Sequence, residues 1–260
     1  MTALDARTGR RPDAVRRPSV LRRAAVVATG LLAVALPTAW GVSSAVQIVT
    51  GAERDHLFHQ LTGQGVLLDV LWIVPLALLV RAGWRGTRPG TAAVLGHVSV
   101  AVGAVVAAAL APGNGGALVA GLVVGTGALL WFAVPVRPRL MRIDVDPVLA
   151  PLALALAALL TPYALGQGAL QRAFADEHAR MSHYFDMAWL GGVVVVAAVC
   201  SALVPAARRL AFVAAAATLL LGGCRFLLTT DVTWSLTAIG LGLAGLAAAS
   251  FRSRRPDRAN

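Results

Sequence analysis

The chain contains no lysine: all 23 of its basic residues are arginine, set against 12 acids. Charged residues make up only 13% of the 260. A soluble domain carries about 25%, so an ordinary water-soluble globule is excluded. Two cysteines, Cys200 and Cys224, rule out a disulfide framework and any cysteine-rich zinc motif. Their places in the hydropathy pattern put them at different depths, so both read as packing residues. The chain lacks a P-loop, a dinucleotide fingerprint, G-x-S-x-G, H-E-x-x-H and any aspartate-rich prenyl-diphosphate motif. The arginines are scattered over short loops rather than gathered on one basic face, which argues against a nucleic-acid partner.

What is abundant is apolar sequence. Apolar residues are 58% of the chain, in blocks of about twenty, the length that crosses a hydrocarbon core. The blocks fall at 24–48, 61–80, 91–111, 116–136, 147–168, 184–205, 209–229 and 232–250. This predicts an all-α, polytopic transmembrane bundle of eight spans. The division between the last two is the weakest, with only RFLLTTDVTW (225–234) between apolar segments. Residues 1–23 read as a polar cytoplasmic tail and 24–136 as a first four-helix half. A linker at 137–146, a second half at 147–250 and a tail at 251–260 complete the division. SSAV (43–46) resembles a cleavage site, but the long apolar run favours an uncleaved first span.

Arginine placement sets the expected orientation. With both termini cytoplasmic, nineteen arginines fall inside and only Arg54, Arg172, Arg180 and Arg225 outside. The use of arginine alone, with abundant Ala, Gly, Val and Leu, suits a GC-rich bacterial genome, and so a multi-pass protein of the plasma membrane. Seven acids and four of the five histidines fall on the outer side.

All four of those histidines and five of the seven acids gather in two loops, AERDHLFHQL (52–61) and DEHARMSHYFD (176–186). A shift of 124 aligns Gln47 with Gln171, Glu53 with Glu177 and His59 with His183; it also sets Arg85 on Arg209. A rival shift of 117 aligns Asp69-x2-Trp72 with Asp186-x2-Trp189. The first predicts a parallel four-plus-four repeat, with equivalent sites around an axis along the membrane normal; the second would break the histidine pairing, and the two shifts exclude one another. Eight spans in two bundles is similar in plan to the haem A synthases. The likeness is one of architecture alone, since the histidines here do not lie on alternate spans.

Three classes of function follow. In the first, His56, His59, His178 and His183 hold a transition metal or haem, which requires them to converge within about 5 Å. His178 and His183, five apart, can share one ion only if a helix starts between them. Asp186, three residues after His183, is placed to orient its ring. In the second class, Asp69, Glu53, Glu177 or Asp186 acts as acid or base on a lipid, isoprenoid or other hydrophobic small molecule, with Asp69 expected about 12 Å inside its span. In the third, the same acids couple protons or cations to transport. The bland alternative is a solvated outer rim on an accessory subunit in contact only with membrane lipids.

Smaller expectations concern packing. Arg225 is the natural counter-charge for Glu177, Asp186 or Asp231, and His97 reads as a bundle residue. GLVVG (121–125) and GLGLAG (240–245) are expected to let helices approach closely. The six tryptophans are expected at the interfaces, and Pro75 and Pro162 at kinks or cavity walls.

Overall fold

The computed structural model describes residues 19–51, 56–63, 65–111, 115–138 and 142–253. The described residues are 84% helix and include no strand. Eight helices are long and apolar enough to cross a membrane.

The first half comprises α1 (Val20–Thr50), the short α2 (Leu57–Leu61), α3 (Val66–Arg85), α4 (Thr91–Leu110) and α5 (Gly116–Ala133). The second comprises α6 (Leu149–Ala173), the four-residue α7 (Glu177–Arg180), α8 (His183–Leu203), α9 (Leu210–Leu228) and α10 (Val232–Ser253). α1 packs on α3 and α5, while α6 packs on α8 and α10. α8 is the hub, touching α4, α6 and α9.

Local chemistry sets the ends. Ser19 caps α1, its Oγ accepting from the Arg22 N–H at 3.3 Å. The doubtful division between the last two spans is real. Asp231 accepts from the Trp234 N–H at 3.3 Å, and the Ser235 hydroxyl donates to the Asp231 carbonyl at 2.6 Å. Arg225 pairs with Asp231 at 3.0 Å and lies over the Tyr163 and Trp234 rings. Of the three counter-charges expected for Arg225, Asp231 is the one it takes.

The glycine expectation is half overturned. Gly121 and Gly125 face open space, so GLVVG is not a close-packing motif here. Gly242 and Gly245 do lie against α9, at Leu219 and Ala215. Another close approach joins α4 to α8. A Cβ added at Gly192 would sit 3.1 Å from the Gly103 Cα, and one at Gly103 would sit 2.9 Å from the Val193 nitrogen.

The tryptophan expectation also divides. Trp84 and Trp131 do sit near helix ends beneath arginines, Arg23 and Arg137 respectively. Trp72 and Trp189 are instead fully buried, with ring centres 5.1 Å apart, and the Trp189 indole donates to the Val100 carbonyl at 2.9 Å. Span length alone could not separate these roles: a tryptophan near a span end and one a turn inside it look alike in sequence.

At the bundle end opposite the histidines, residues 142–148 fold across the C-terminus of α8. The Asp144 and Asp146 N–H groups donate to the Leu203 and Ala202 carbonyls. These carbonyls belong to a helix end that would otherwise leave them unpaired. Asp146 is buried. It accepts from the Val148 and Leu149 N–H groups and pairs with Arg252 at 2.7 Å and Arg208 at 3.2 Å. Burial alone would raise its pKa, but the Val148 N–H, Arg252 and the Leu149 N–H together hold it below the usual carboxylate range.

A carboxylate with a depressed pKa stabilises the fold above its unfolded pKa and loses that effect as pH falls through the folded value. The Asp146 contribution is therefore complete at neutral pH and is lost only in acid below the ordinary aspartate range. Asp146→Ala strands two part-buried arginines and should cost about 2–4 kcal/mol. Unfolding in detergent at pH 7 checks this, and Asp146→Asn, which can still accept the backbone N–H bonds, should cost less.

Candidate functional site

The site is built where α2 and α7 meet the start of α8. Four imidazoles pack together, at ring-centre separations of 4.8 Å (His56–His178), 4.9 Å (His56–His183), 5.0 Å (His59–His178), 4.8 Å (His59–His183) and 5.3 Å (His178–His183). All four histidines singled out in the sequence are thus brought together. One nitrogen from each of His56, His178 and His183 lies within 4.8 Å of the others. His59 falls outside that donor set because its ring stacks on His183, tilted by 27°.

Each histidine segment is pinned by a glutamine from the helix before it. Gln47 of α1 accepts from the Gln60 side chain at 3.1 Å, beside His59. Gln171 of α6, fully buried, donates to the Ala179 carbonyl at 2.6 Å and accepts from the Phe185 N–H at 3.2 Å. It thereby clamps both sides of the break between α7 and α8. That break falls at Ser182, whose φ is 64°, and it lets His178 and His183 face one point despite their five-residue spacing. The helix start required between them is present.

Asp176 completes the clamp. It accepts from the Tyr184 hydroxyl at 2.6 Å and from the Ala179 N–H at 2.9 Å. The Tyr184 hydroxyl first, then the Ala179 N–H, hold its pKa below the usual range. The bond is therefore kept well into acid. Sequence reasoning counted Asp176 as an outer charge and missed this role; its place at the N-cap of α7, eight residues before Tyr184, was the available signal.

The first loop reaches α8 through a tight turn. The second span, expected from residue 61, runs over Leu57–Arg85, and within it α2 ends at Leu61 and α3 begins at Val66, with Thr62 and Gly63 in a turn. A Cβ on Gly63 would sit 2.9 Å from the Asp186 carbonyl carbon and 2.6 Å from Met187 Sδ, so glycine alone permits this contact. The Thr62 hydroxyl adds a bond to the Phe58 carbonyl at 2.6 Å. The same turn places Asp69 in the first turn of α3 rather than deep within it.

Asp186 does not orient His183. Both nitrogens of the fully buried His183 ring lack a hydrogen-bond partner. Asp186 turns instead toward the equally buried Asp69, near enough for the two carboxyls to repel. Asp69 Oδ2 has no partner and lies against Gly41 of α1. Asp186 also borders a cleft of about 210 Å³ with Ser43, Ser44 and Gln47. Glu177 is exposed on α7, and Glu53 lies outside the described residues. His97 packs on Gly127 and makes no ring contact with the cluster among the described residues.

Gly63→Val should push the turn off α8 and cost about 1–3 kcal/mol by overpacking, read as a lower unfolding midpoint in detergent. Gly121→Val, at an open position, should change that midpoint little. Compared with known proteins, the chain matches no family model, no curated protein and no solved structure, so the function has to be read from the site itself.

Proposed function

We propose that this membrane protein binds a divalent first-row transition ion, copper(II) or zinc(II), through His56, His178 and His183, with His59 as the fourth imidazole within reach. The observation that carries this reading is the His183 ring, buried with neither nitrogen hydrogen-bonded. A buried polar group left unsatisfied costs about 1–3 kcal/mol, and ligation at one nitrogen removes part of that cost.

The spacing agrees. A tetrahedral ion with nitrogen ligands at about 2.0–2.1 Å holds the ring centres about 5 Å apart. The observed separations run from 4.8 to 5.3 Å. The donor nitrogens stand somewhat wider than the about 3.4 Å of such a site, so binding turns the rings to aim their nitrogens at the ion and leaves the ring centres about where they are. Imidazole donors suit copper, zinc or nickel better than magnesium. A haem is disfavoured, because rings already in mutual contact leave no planar slot for a macrocycle.

The same arrangement supports the four-plus-four repeat. His59 meets His183 under the 124-residue shift, and Trp72 meets Trp189 under the 117-residue shift. The two registers differ by seven residues and are reconciled by a gap between His59 and Asp69, where the chain leaves the helix. In this reading each half contributes two histidines, one aspartate and one tryptophan.

A second reading rests on the carboxyl pair. Asp69 and Asp186, beside a cleft lined by Ser43, Ser44 and Gln47, form an acid–base site for a small hydrophobic molecule.

Metal analysis and an absorption spectrum of detergent-purified protein test the first reading. We expect one copper or zinc per chain, with affinity falling on acidification because the imidazoles must be deprotonated to ligate. His183→Ala should weaken binding by more than about 100-fold and Asp176→Asn, acting through the clamp, by about tenfold; His97→Ala should leave it unchanged. Protein that takes up neither ion defeats the metal reading and leaves the carboxyl pair. A Soret band lost in His183→Ala would establish haem instead.

A further inference from the structure

A second concavity lies toward the other end of the bundle, between α3, α4, α8 and α9. Its volume is about 460 Å³, within the about 300–1,000 Å³ of small-molecule sites. Its walls are apolar: Val74 and Leu78 of α3 stand half-exposed one turn apart, facing Val193 and Ala197 of α8 and Val213 of α9. Pro75, meeting Gly96 across the groove floor, keeps α3 and α4 in contact there.

The mouth has the opposite character. Arg81 and Arg85, one turn apart on α3, and Arg209, at the start of α9, all border it. All three are exposed, and among the described residues none has an ion pair or a side-chain hydrogen bond. Their neighbour Arg208 turns away to Asp146. Three unopposed guanidinium groups at one rim call for an anion, and guanidinium matches phosphate oxygens in a bidentate fork. An apolar trough ending in a phosphate-seeking rim has the chemical profile of an anionic phospholipid.

We propose that this groove holds one anionic phospholipid, its phosphate on Arg81, Arg85 and Arg209 and an acyl chain along Val74 and Leu78. The site draws on both halves of the chain, with Arg81 and Arg85 on α3 and Arg209 at the start of α9. It is independent of any metal at the histidines. Ordinary lipid contact differs from it in two ways: it selects no headgroup, and it survives the filling of a single groove.

The test is native mass spectrometry of protein released from nanodiscs of equimolar phosphatidylglycerol and phosphatidylcholine with identical chains. Wild type should retain one phosphatidylglycerol, enriched about tenfold or more over phosphatidylcholine. Arg81→Gln/Arg85→Gln/Arg209→Gln should bring the enrichment to near unity. Val74→Trp, which fills the trough and leaves the rim intact, should remove the retained lipid altogether. Circular dichroism and size exclusion confirm the fold of each variant; should the triple variant fail, Val74→Trp and Arg209→Gln alone decide the matter. No headgroup preference in wild type, or one that survives the arginine changes, overturns the proposal. So does retention undiminished in Val74→Trp, or displacement of the lipid by millimolar inorganic phosphate, which would mark a simple anion site.

Discussion

The arrangement depends on how closely other backbone can approach α8. Gly103 and Gly192 bring α4 to within van der Waals contact of its middle, and Gly63 seats the first loop on its opening turn. In a hydrocarbon solvent helices gain little from burying apolar side chains, so close backbone packing and interhelical hydrogen bonds hold them together. The Trp189 bond to the Val100 carbonyl, beside the glycine contact, supplies both at once. Once α8 is fixed, His183 at its first residue is fixed too, and the other histidines are placed relative to it.

That hierarchy explains why the histidines are held by polar clamps. The segments carrying His56 and His178 are too short to be stable helices alone. Each is tied down by a glutamine on the preceding long helix, and the second also by Asp176 and Tyr184. All these bonds are made without using an imidazole nitrogen of His183. The cluster is therefore organised from outside, and both nitrogens of the buried His183 ring are left without a hydrogen bond.

Much of this was legible in the sequence, and the failures have physical causes. The eight spans follow from block length alone, and the convergence of four histidines follows from where their loops lie. The depth of Asp69 was misjudged because the span was started at residue 61, ahead of the polar stretch TGQG (62–65), although α3 itself begins at Val66. Asp186 was assigned to His183 on helical spacing, but spacing fixes only a shared face. Asp186 makes no hydrogen bond to His183, whose two ring nitrogens both lack a partner.

The absence of lysine bears on how the basic residues should be read. Where every cation is arginine, residue identity carries no information about a site, and only the pairing state discriminates. Arg208 and Arg252 neutralise Asp146, and Arg225 neutralises Asp231. These have structural work that fully accounts for them. Arg81, Arg85 and Arg209 do not, yet they share one rim above an apolar trough. Net charge alone would spread the positive potential over every loop. Sorting the described arginines by partner instead leaves three unpaired guanidinium groups together at one rim, at the end of the bundle away from the unpartnered histidine, and α3 and α8 run from one to the other.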